Sequence, residues 1–212
     1  MKRSLQAFTL FFVLTILSVS AQTVSAQTEE VMITAVQGGP MIVRQGQEMP
    51  AAVGMSCQKN DVLKTPPSCM VDVAINGLAG CRVLPGSEVA LSETRSSQMS
   101  VQIASGNAIL NLAKLPSQSS FTLETPTAVA TVRGTQFWGR VDMQNKQMAG
   151  TTFAVKEGVV EVFDKQVLKT YMLRPNQALD IPLEPTSTPS IRPAAKEELK
   201  ALEQATAIKI SA

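Results

Sequence analysis

The chain has 212 residues, of which 19 are Lys or Arg, 17 are Asp or Glu and none is His. Without an imidazole, a Ser-His-Asp or Cys-His nucleophile cannot be assembled, and three Cys are too few for a four-thiolate zinc site. At 44% hydrophobic and 17% charged, the composition is typical of a folded protein, and the length predicts one domain with short appendages.

The first predicted element is an export signal at residues 1–26. Lys2 and Arg3 precede an uncharged stretch whose centre, residues 7–17, is strongly apolar, and small residues ending at Ala26 form a cleavage site. Removing this segment leaves 17 basic against 17 acidic residues, so the mature chain has no net charge. Nothing in the charge then favours a nucleic-acid partner.

Two alternatives to cleavage after Ala26 stay open. A second small-residue site allows cleavage after Ala21, and the segment could instead be kept as a membrane anchor. An anchor is disfavoured because the apolar centre is shorter than the roughly 20 residues that a spanning helix needs. We therefore expect no stable membrane span once the signal is removed.

Residues 27–181 are predicted to form an all-β domain. Turn-forming pairs such as Asn76-Gly77 recur at short intervals, and apolar residues alternate with others at residues 71–75 and 99–103. A turn at residues 105–107 is predicted to join two strands, 98–104 and 108–112. Because no long amphipathic pattern interrupts this region, we expect a jelly-roll-like β-sandwich or a short β-solenoid of many short strands.

The C-terminal region divides into a linker and a helix. Residues 182–193 contain four Pro, which predicts an extended linker that keeps no strand ladder. Residues 194–207 are rich in helix formers, with Pro193 in the first turn and Leu199 and Leu202 on one side. The stripe is short, so a solvated or partly frayed helix is favoured over one that binds a partner.

Cys57, Cys69 and Cys81 recur at equal intervals in a chain predicted to be exported, where disulfides form. The odd number leaves at least one thiol unpaired or bridging two chains. Both a two-residue Asn76-Gly77 turn and a five-residue loop over residues 76–80 put Cys69 and Cys81 out of register with each other, so a Cys57–Cys81 disulfide with Cys69 free is slightly preferred. Three small buried thiols are an equal alternative.

The most distinctive motifs lie in the second half of the chain. They are a Thr-Pro step at Thr125 and Pro126, an Arg-Gly-Thr-x-Phe motif at residues 133–137, and a Glu-Gly pair at Glu157 and Gly158. Upstream come an Asn-Asp turn at residues 60–61 and a Pro-Gly-Ser-Glu step at residues 85–88.

The order and spacing of these motifs over residues 31–182 resembles the FecR domain. Asn60 stands where the family usually has Gly, and the hairpin near Gly80 carries a small insertion. The resemblance implies an all-β domain of bacterial envelope proteins. In the best-known members, that domain is the periplasmic part of a transmembrane regulator that receives a signal from a TonB-dependent receptor and controls a sigma factor.

Only three residues precede the uncharged segment, so this chain is expected to lack the cytoplasmic part that would contact a sigma factor. The binding domain is what the resemblance carries over, with the periplasm or cell envelope as its location.

Arg133, Gly134, Thr135 and Phe137 are interpreted as a structural corner in preference to a ligand site. Glycine between strands usually supplies an unusual dihedral or a close backbone approach. A buried Arg needs a carboxylate partner, and Glu157 is the expected one for Arg133.

Catalysis is disfavoured as well. Scattered carboxylates could supply a glycosidase pair, but no spacing singles out two of them, and no P-loop, dinucleotide or calcium motif is present. The leading hypothesis is an exported, non-enzymatic binding or sensory module without cofactor or metal, whose partner is an envelope protein or polymer. The alternatives are a structural, self-assembling envelope protein and, less favoured, a carbohydrate-acting enzyme.

Overall fold

The computed structural model describes residues 30–144, 147–184 and 187–211. The predicted export signal, residues 1–26, lies outside the described residues and stays a prediction. The described residues form sixteen β-strands, a short α-helix and a 3-10 turn. The strands are β1 (Val31–Gln37), β2 (Met41–Arg44), β3 (Gln47–Pro50), β4 (Val62–Thr65), β5 (Met70–Ile75), β6 (Ala79–Val83), β7 (Ser87–Arg95), β8 (Gln98–Leu112), β9 (Ser120–Glu124), β10 (Ala128–Val132), β11 (Gln136–Gln144), β12 (Gln147–Glu157), β13 (Val160–Asp164), β14 (Lys169–Leu173), β15 (Gln177–Pro182) and β16 (Ser190–Pro193).

These strands form two sheets that share β8. Sheet A has the order β1-β5-β6-β8-β11-β12-β15-β16. Sheet B has the order β3-β2-β4-β7-β8-β9-β10-β13-β14. The pairing of β8 with β9 is parallel, and the other strand pairs of the described chain are antiparallel. The predicted all-β fold is confirmed, in the form of two sheets around one shared apolar core.

Strand β8 runs without a break through residues 105–107, so the turn predicted there is wrong. The chain stays extended there while its neighbours change from β7 and β9 in sheet B to β6 and β11 in sheet A. Gly106 has φ +77° at this crossing, and a Cβ there would lie 2.5 Å from the Cα of Ser87. The turn-like composition thus serves a close approach between strands rather than a hairpin.

The inner faces of the two sheets supply the main core. Met99, Val101 and Ile103 are fully buried there, as their alternation predicts. The alternation at residues 71–75 has a different outcome, since Asp72 is buried as well as its apolar neighbours. Both faces of β5 are therefore covered.

The covering layer on the outer face of sheet A is the C-terminal segment. Helix α1 (Lys196–Glu203) and the 3-10 turn (Gln204–Ala207) pack on β8, β11 and β12. Leu202, Ala205 and Ile208 form a second apolar cluster with side chains of the sheet: Ile109, Trp138, Ala154 and Ala178. The expectation of a solvated tail helix is wrong, because the apolar outer face of sheet A gains from being removed from water.

The Pro-rich segment differs from its prediction in one part. Residues 190–193 form β16, which pairs with β15 and ends at Pro193. The prediction that this segment forms no strand ladder is therefore wrong for these residues. An edge strand tolerates a terminal Pro because the side without a partner needs no N–H donor. Helix α1 begins after Ala195, so Pro193 is outside its first turn. Neither helical segment of the described residues has the length and apolarity that a membrane-spanning helix needs.

A candidate binding surface at the edge of sheet B

The Arg-Gly-Thr motif forms a structural corner. Gly134 has φ +77°, and a Cβ there would lie 3.0 Å from the backbone of Lys114. Gly158 has φ +82°, and a Cβ there would lie 2.8 Å from the carbonyl oxygen of Gly134. The two glycine motifs therefore meet, and the carbonyl of Thr135 accepts a 2.9 Å bond from the N–H of Leu112. This packing requires glycine at both positions.

The Thr-Pro step is held by buried hydroxyl groups. The hydroxyl of Thr125 accepts bonds from the N–H of Ala128 at 3.1 Å and from the hydroxyl of Thr151 at 3.1 Å. Thr127 donates to the same Thr151 oxygen at 2.7 Å. Pro126 is exposed at the tip of the turn, while Phe137 of the neighbouring motif is fully buried. These motif residues fix the backbone around β9 and β10.

The predicted buried pair of Arg133 and Glu157 is wrong. Both side chains are exposed, and no ion pair or hydrogen bond joins them in the described part of the chain. Two of the buried carboxylates, Asp61 and Asp72, pair with other arginines instead. Asp61 accepts bonds of 2.9 and 2.7 Å from Arg44, and Asp72 accepts bonds of 2.7 and 2.6 Å from Arg82.

A register signal existed for the second of these pairs. A three-residue loop after Ile75 pairs Asp72 with Arg82 across β5 and β6. The two-residue and five-residue loops predicted from the sequence shift the strand register by one and two positions from the observed one, so they do not predict the Asp72–Arg82 pair. The Arg44–Asp61 pair left no comparable signal, because its partners are distant in sequence and join β2 to a turn.

The three cysteines of the described chain are free thiols, and the Cys57–Cys81 disulfide is not formed. Cys57 donates its N–H to Val31 on one side of β1, whereas Cys81 lies in β6, beyond β5 on the other side. Three strand spacings correspond to about 14 Å along the sheet, too far for a disulfide. Burial, with a smaller effect of Asp61, raises the pKa of Cys57 to about 12. Burial, with a smaller effect of Asp72, raises the pKa of Cys81 to about 12.

The far edge of sheet B carries a group of exposed apolar side chains, here called the apolar strip. Its members have relative exposures from 38% to 74% and lie within β13, β14 and their flanking turns. They are Val159, Phe163, Val167, Leu168 and Met172. Contiguous exposed apolar groups on a protein surface mark interaction sites more often than scattered single ones.

Strand alternation places part of the apolar strip on one face. In β13 the side chains of Val160 and Val162 are buried, whereas Phe163 points to the outside of sheet B. Met172 of β14 lies opposite Glu161 and shares this outer face. A shallow depression of about 220 Å³ between these strands and β10 is lined by Val159, Met172, Glu161 and Arg133, among others.

The hairpin that joins β13 to β14 presents the remaining part of the strip. Leu168 is 74% exposed and has φ +53°, an uncommon conformation for a residue with a side chain. Lys165 donates to the carbonyl of Thr125 at 2.8 Å, and Lys169 lies 5.1 Å from the centre of the Tyr171 ring. An apolar tip therefore projects between two positioned cations.

The described residues contain no cluster of His, Cys, Asp and Glu that could hold a metal ion. The carboxylates considered for a glycosidase are dispersed: Asp61 and Asp72 bind Arg44 and Arg82, and Glu93 binds Lys59 and Arg95. What the apolar strip and its surroundings can do chemically is bind another molecule through apolar contacts, positive charge and a strand edge.

Comparison with known proteins agrees with the motif assignment. Residues 61–161 match the family model described as FecR protein. No curated protein matches the chain. Two crystal structures, at 2.50 and 1.65 Å resolution, of a proposed anti-sigma factor from Parabacteroides distasonis ATCC 8503 have a similar fold, with a TM-score of 0.57 and 17% identity.

The similar part covers 68% of this chain and 64% of the anti-sigma protein, so the chain matches less than two thirds of that protein's length. The strands outside the family match, β1 to β3 and β14 to β16, pair into the same two sheets. Residues 61–161 are thus the part of the chain that matches the FecR protein family.

Proposed function

We propose that the chain is an exported, non-enzymatic binding module of the bacterial cell envelope that contacts an envelope protein through the apolar strip. The observation that carries this proposal is the concentration of exposed apolar side chains at residues 159–172. Leaving such side chains in water is unfavourable, and association with a partner removes that cost.

The family supports a regulatory or sensory role over a catalytic one. A FecR domain is present, and the anti-sigma protein of similar fold is named for a regulatory activity. A protein partner is favoured over a polysaccharide, because the strip is aliphatic except for Phe163, whereas sugar-binding surfaces usually use aromatic faces.

A photo-crosslinking experiment tests the partner. The photoreactive residue p-benzoyl-phenylalanine replaces Phe163 in one version of the full chain and Val53 in a matched version. Val53 is 64% exposed and lies away from the strip, between β3 and β4. We expect the Phe163 position to give one adduct with another envelope protein, and the Val53 position to give none.

Two results contradict the proposal. Equal adducts from both positions would show that the strip has no special role. Adducts of the chain with itself alone would favour the alternative of a structural, self-assembling protein.

Export is tested separately, by sequencing the N-terminus of the protein recovered from the periplasm. We expect Gln27 as the first residue.

A further inference from the structure

The four outer edges of the two sheets are not equally protected against pairing with another chain. Strand β3 ends in Pro50, and β16 ends in Pro193. Strand β1 is covered on its outer side by backbone bonds with residues 54–57, including 3.0 Å from the N–H of Ile33 to the carbonyl of Met55. Proline and covering loops are the usual means of blocking an edge.

Strand β14 has neither protection. It contains no Pro, it is not bulged in its pairing with β13, and its backbone has no hydrogen-bond partner beyond β13 in the described part of the chain. An unblocked edge is a template for an added strand. We infer that β14 is the docking edge for an extended, acidic segment of a partner protein, which pairs with it as an additional strand of sheet B.

The side chains next to this edge suit such an added strand. Met172 is exposed on the outer face of β14, with Phe163 of β13 on the same face. Tyr171 points to the inner side, where it is half-buried against the main core. Directly opposed residues of paired strands share a face, so a residue of the incoming segment opposite Met172 lies on the outer face, and the residue next to it lies on the inner face beside Tyr171.

The charges at the edge favour an acidic segment over a second copy of the chain. Lys169 begins β14 and Arg174 follows its end, both are exposed, and β14 itself has no acidic residue. An antiparallel pairing of two copies centred on Tyr171 would place Lys169 of each copy beside Arg174 of the other. Like charges at neighbouring cross-strand positions are unfavourable, whereas acidic residues there would be attracted.

This inference rests on the proposed function, and it adds the pairing mode and the chemistry of the partner. Strand addition of this kind gains affinity from main-chain hydrogen bonds and specificity from alternate side chains. It also requires hydrogen bonds to the β14 backbone, which contact through the apolar strip alone does not require.

The test uses three synthetic ten-residue peptides of alternating Val and Thr and the full mature chain. The first peptide carries two Glu five positions apart, to match the separation of Lys169 and Arg174. The second carries Lys in place of both Glu. The third is the acidic peptide with alternate backbone nitrogens methylated, which removes the N–H donors that strand pairing needs. Binding is measured by fluorescence anisotropy, and protection of the β14 amides by hydrogen exchange.

We expect the acidic peptide to bind at least tenfold more tightly than either control and to slow exchange of alternate amides of β14. Lys169→Glu and Arg174→Glu should each weaken its binding at least threefold. Lys196→Glu, which reverses an exposed charge on the other sheet's covering helix, should leave binding unchanged. These three positions are exposed, so the substitutions leave the fold intact.

Equal binding of the acidic and basic peptides, or no binding of the acidic peptide at millimolar concentration, would overturn the inference. So would binding that leaves the exchange of β14 unchanged. If the Phe163 crosslink still captures an envelope protein in those cases, the proposed function survives and only the edge-pairing mode fails. If the crosslink also fails, the proposed function fails with it.

Discussion

The outer faces of both sheets carry apolar side chains, but only those of sheet A are covered. Sheet A carries Ile109, Trp138 and two alanines on its outer face, and the chain's own C-terminal segment covers them. Sheet B carries Phe163 and Met172 on its outer face, and in the described residues these side chains remain 38% and 52% exposed. One apolar surface is thus part of the fold, and the other is available to a partner.

A polar rim holds the cover on sheet A in position. Arg192 of β16 donates bonds of 2.6 and 3.0 Å to Asp180 and bonds of 2.9 and 2.6 Å to Glu198 of α1. Asn111 donates to the carbonyl of Ile208 at 3.2 Å. An apolar centre with charged and amide groups around it resembles a small protein interface formed within one chain.

The largest expected effect is at the centre of this cover. Leu202 is fully buried, so Leu202→Ala should lower the free energy of unfolding by about 2–5 kcal/mol. Leu199→Ala is the matched control on the same helix, and it should cost less because Leu199 is only half-buried. Urea denaturation measures both. Equal losses would mean that α1 does not pack on the sheet through Leu202.

The second effect concerns the charged rim. Arg192→Met keeps most of the side-chain length but leaves two carboxylates without their partner, one of them nearly buried, and should cost about 1–3 kcal/mol. Arg95→Met removes an exposed ion pair with Glu93 and should change stability by about 0.5 kcal/mol or less. Thermal unfolding of both variants gives the comparison, and no difference between them would refute a role for the rim.

The third effect is a pH dependence of the cover. Burial tends to raise the pKa of Glu198, but hydrogen bonds from Arg192 and the N–H of Ala195 outweigh it and hold the pKa below the ordinary value of a glutamate. A lowered pKa in the folded state stabilises the protein above the unfolded-state value, and this stabilisation is lost as the pH falls through the folded-state pKa.

We therefore expect the cover to loosen below about pH 4.3, the ordinary value for a glutamate. Fluorescence of Trp138, the single Trp of the chain, reports this because Trp138 packs under the cover. Glu198→Gln should remove this component of the pH dependence. An unchanged pH profile in that variant would assign the transition to other carboxylates.

The smallest effect on stability is expected on sheet B. Phe163→Ala and Met172→Ala should each lower the free energy of unfolding by about 1 kcal/mol, less than Leu202→Ala, because these residues are 38% and 52% exposed. The same variants should reduce capture of the envelope partner. A loss of stability close to that of Leu202→Ala would show that the apolar strip belongs to the fold, which would remove the contrast between the two faces.

Much of the fold follows from local sequence patterns. Alternation at residues 99–103 identifies a strand with a buried face, and the glycine motifs identify a corner between strands. The path of β8 could not be derived this way, because a residue triplet of turn composition is equally suited to a close strand approach. Which of the two it serves depends on Ser87, a neighbour in space.

The exposure of the apolar strip could not be predicted from the sequence either. Phe163 and Met172 alternate with buried residues in the way that core positions do. Ile109 and Trp138 have a similar alternation, yet the C-terminal segment covers them, whereas Phe163 stays 38% exposed. Exposure is decided by the layer that lies above a sheet, and local periodicity carries no information about that layer.

The crossing of β8 has a consequence for cooperativity. In the described residues, the strands before β8 pair with those after it only through β8 itself, in both sheets. Neither half of the chain can keep a complete sheet when this strand detaches, so the halves share one unfolding event. Melting of sheet A, observed at Trp138, and of sheet B, observed at Tyr171, should coincide at one temperature.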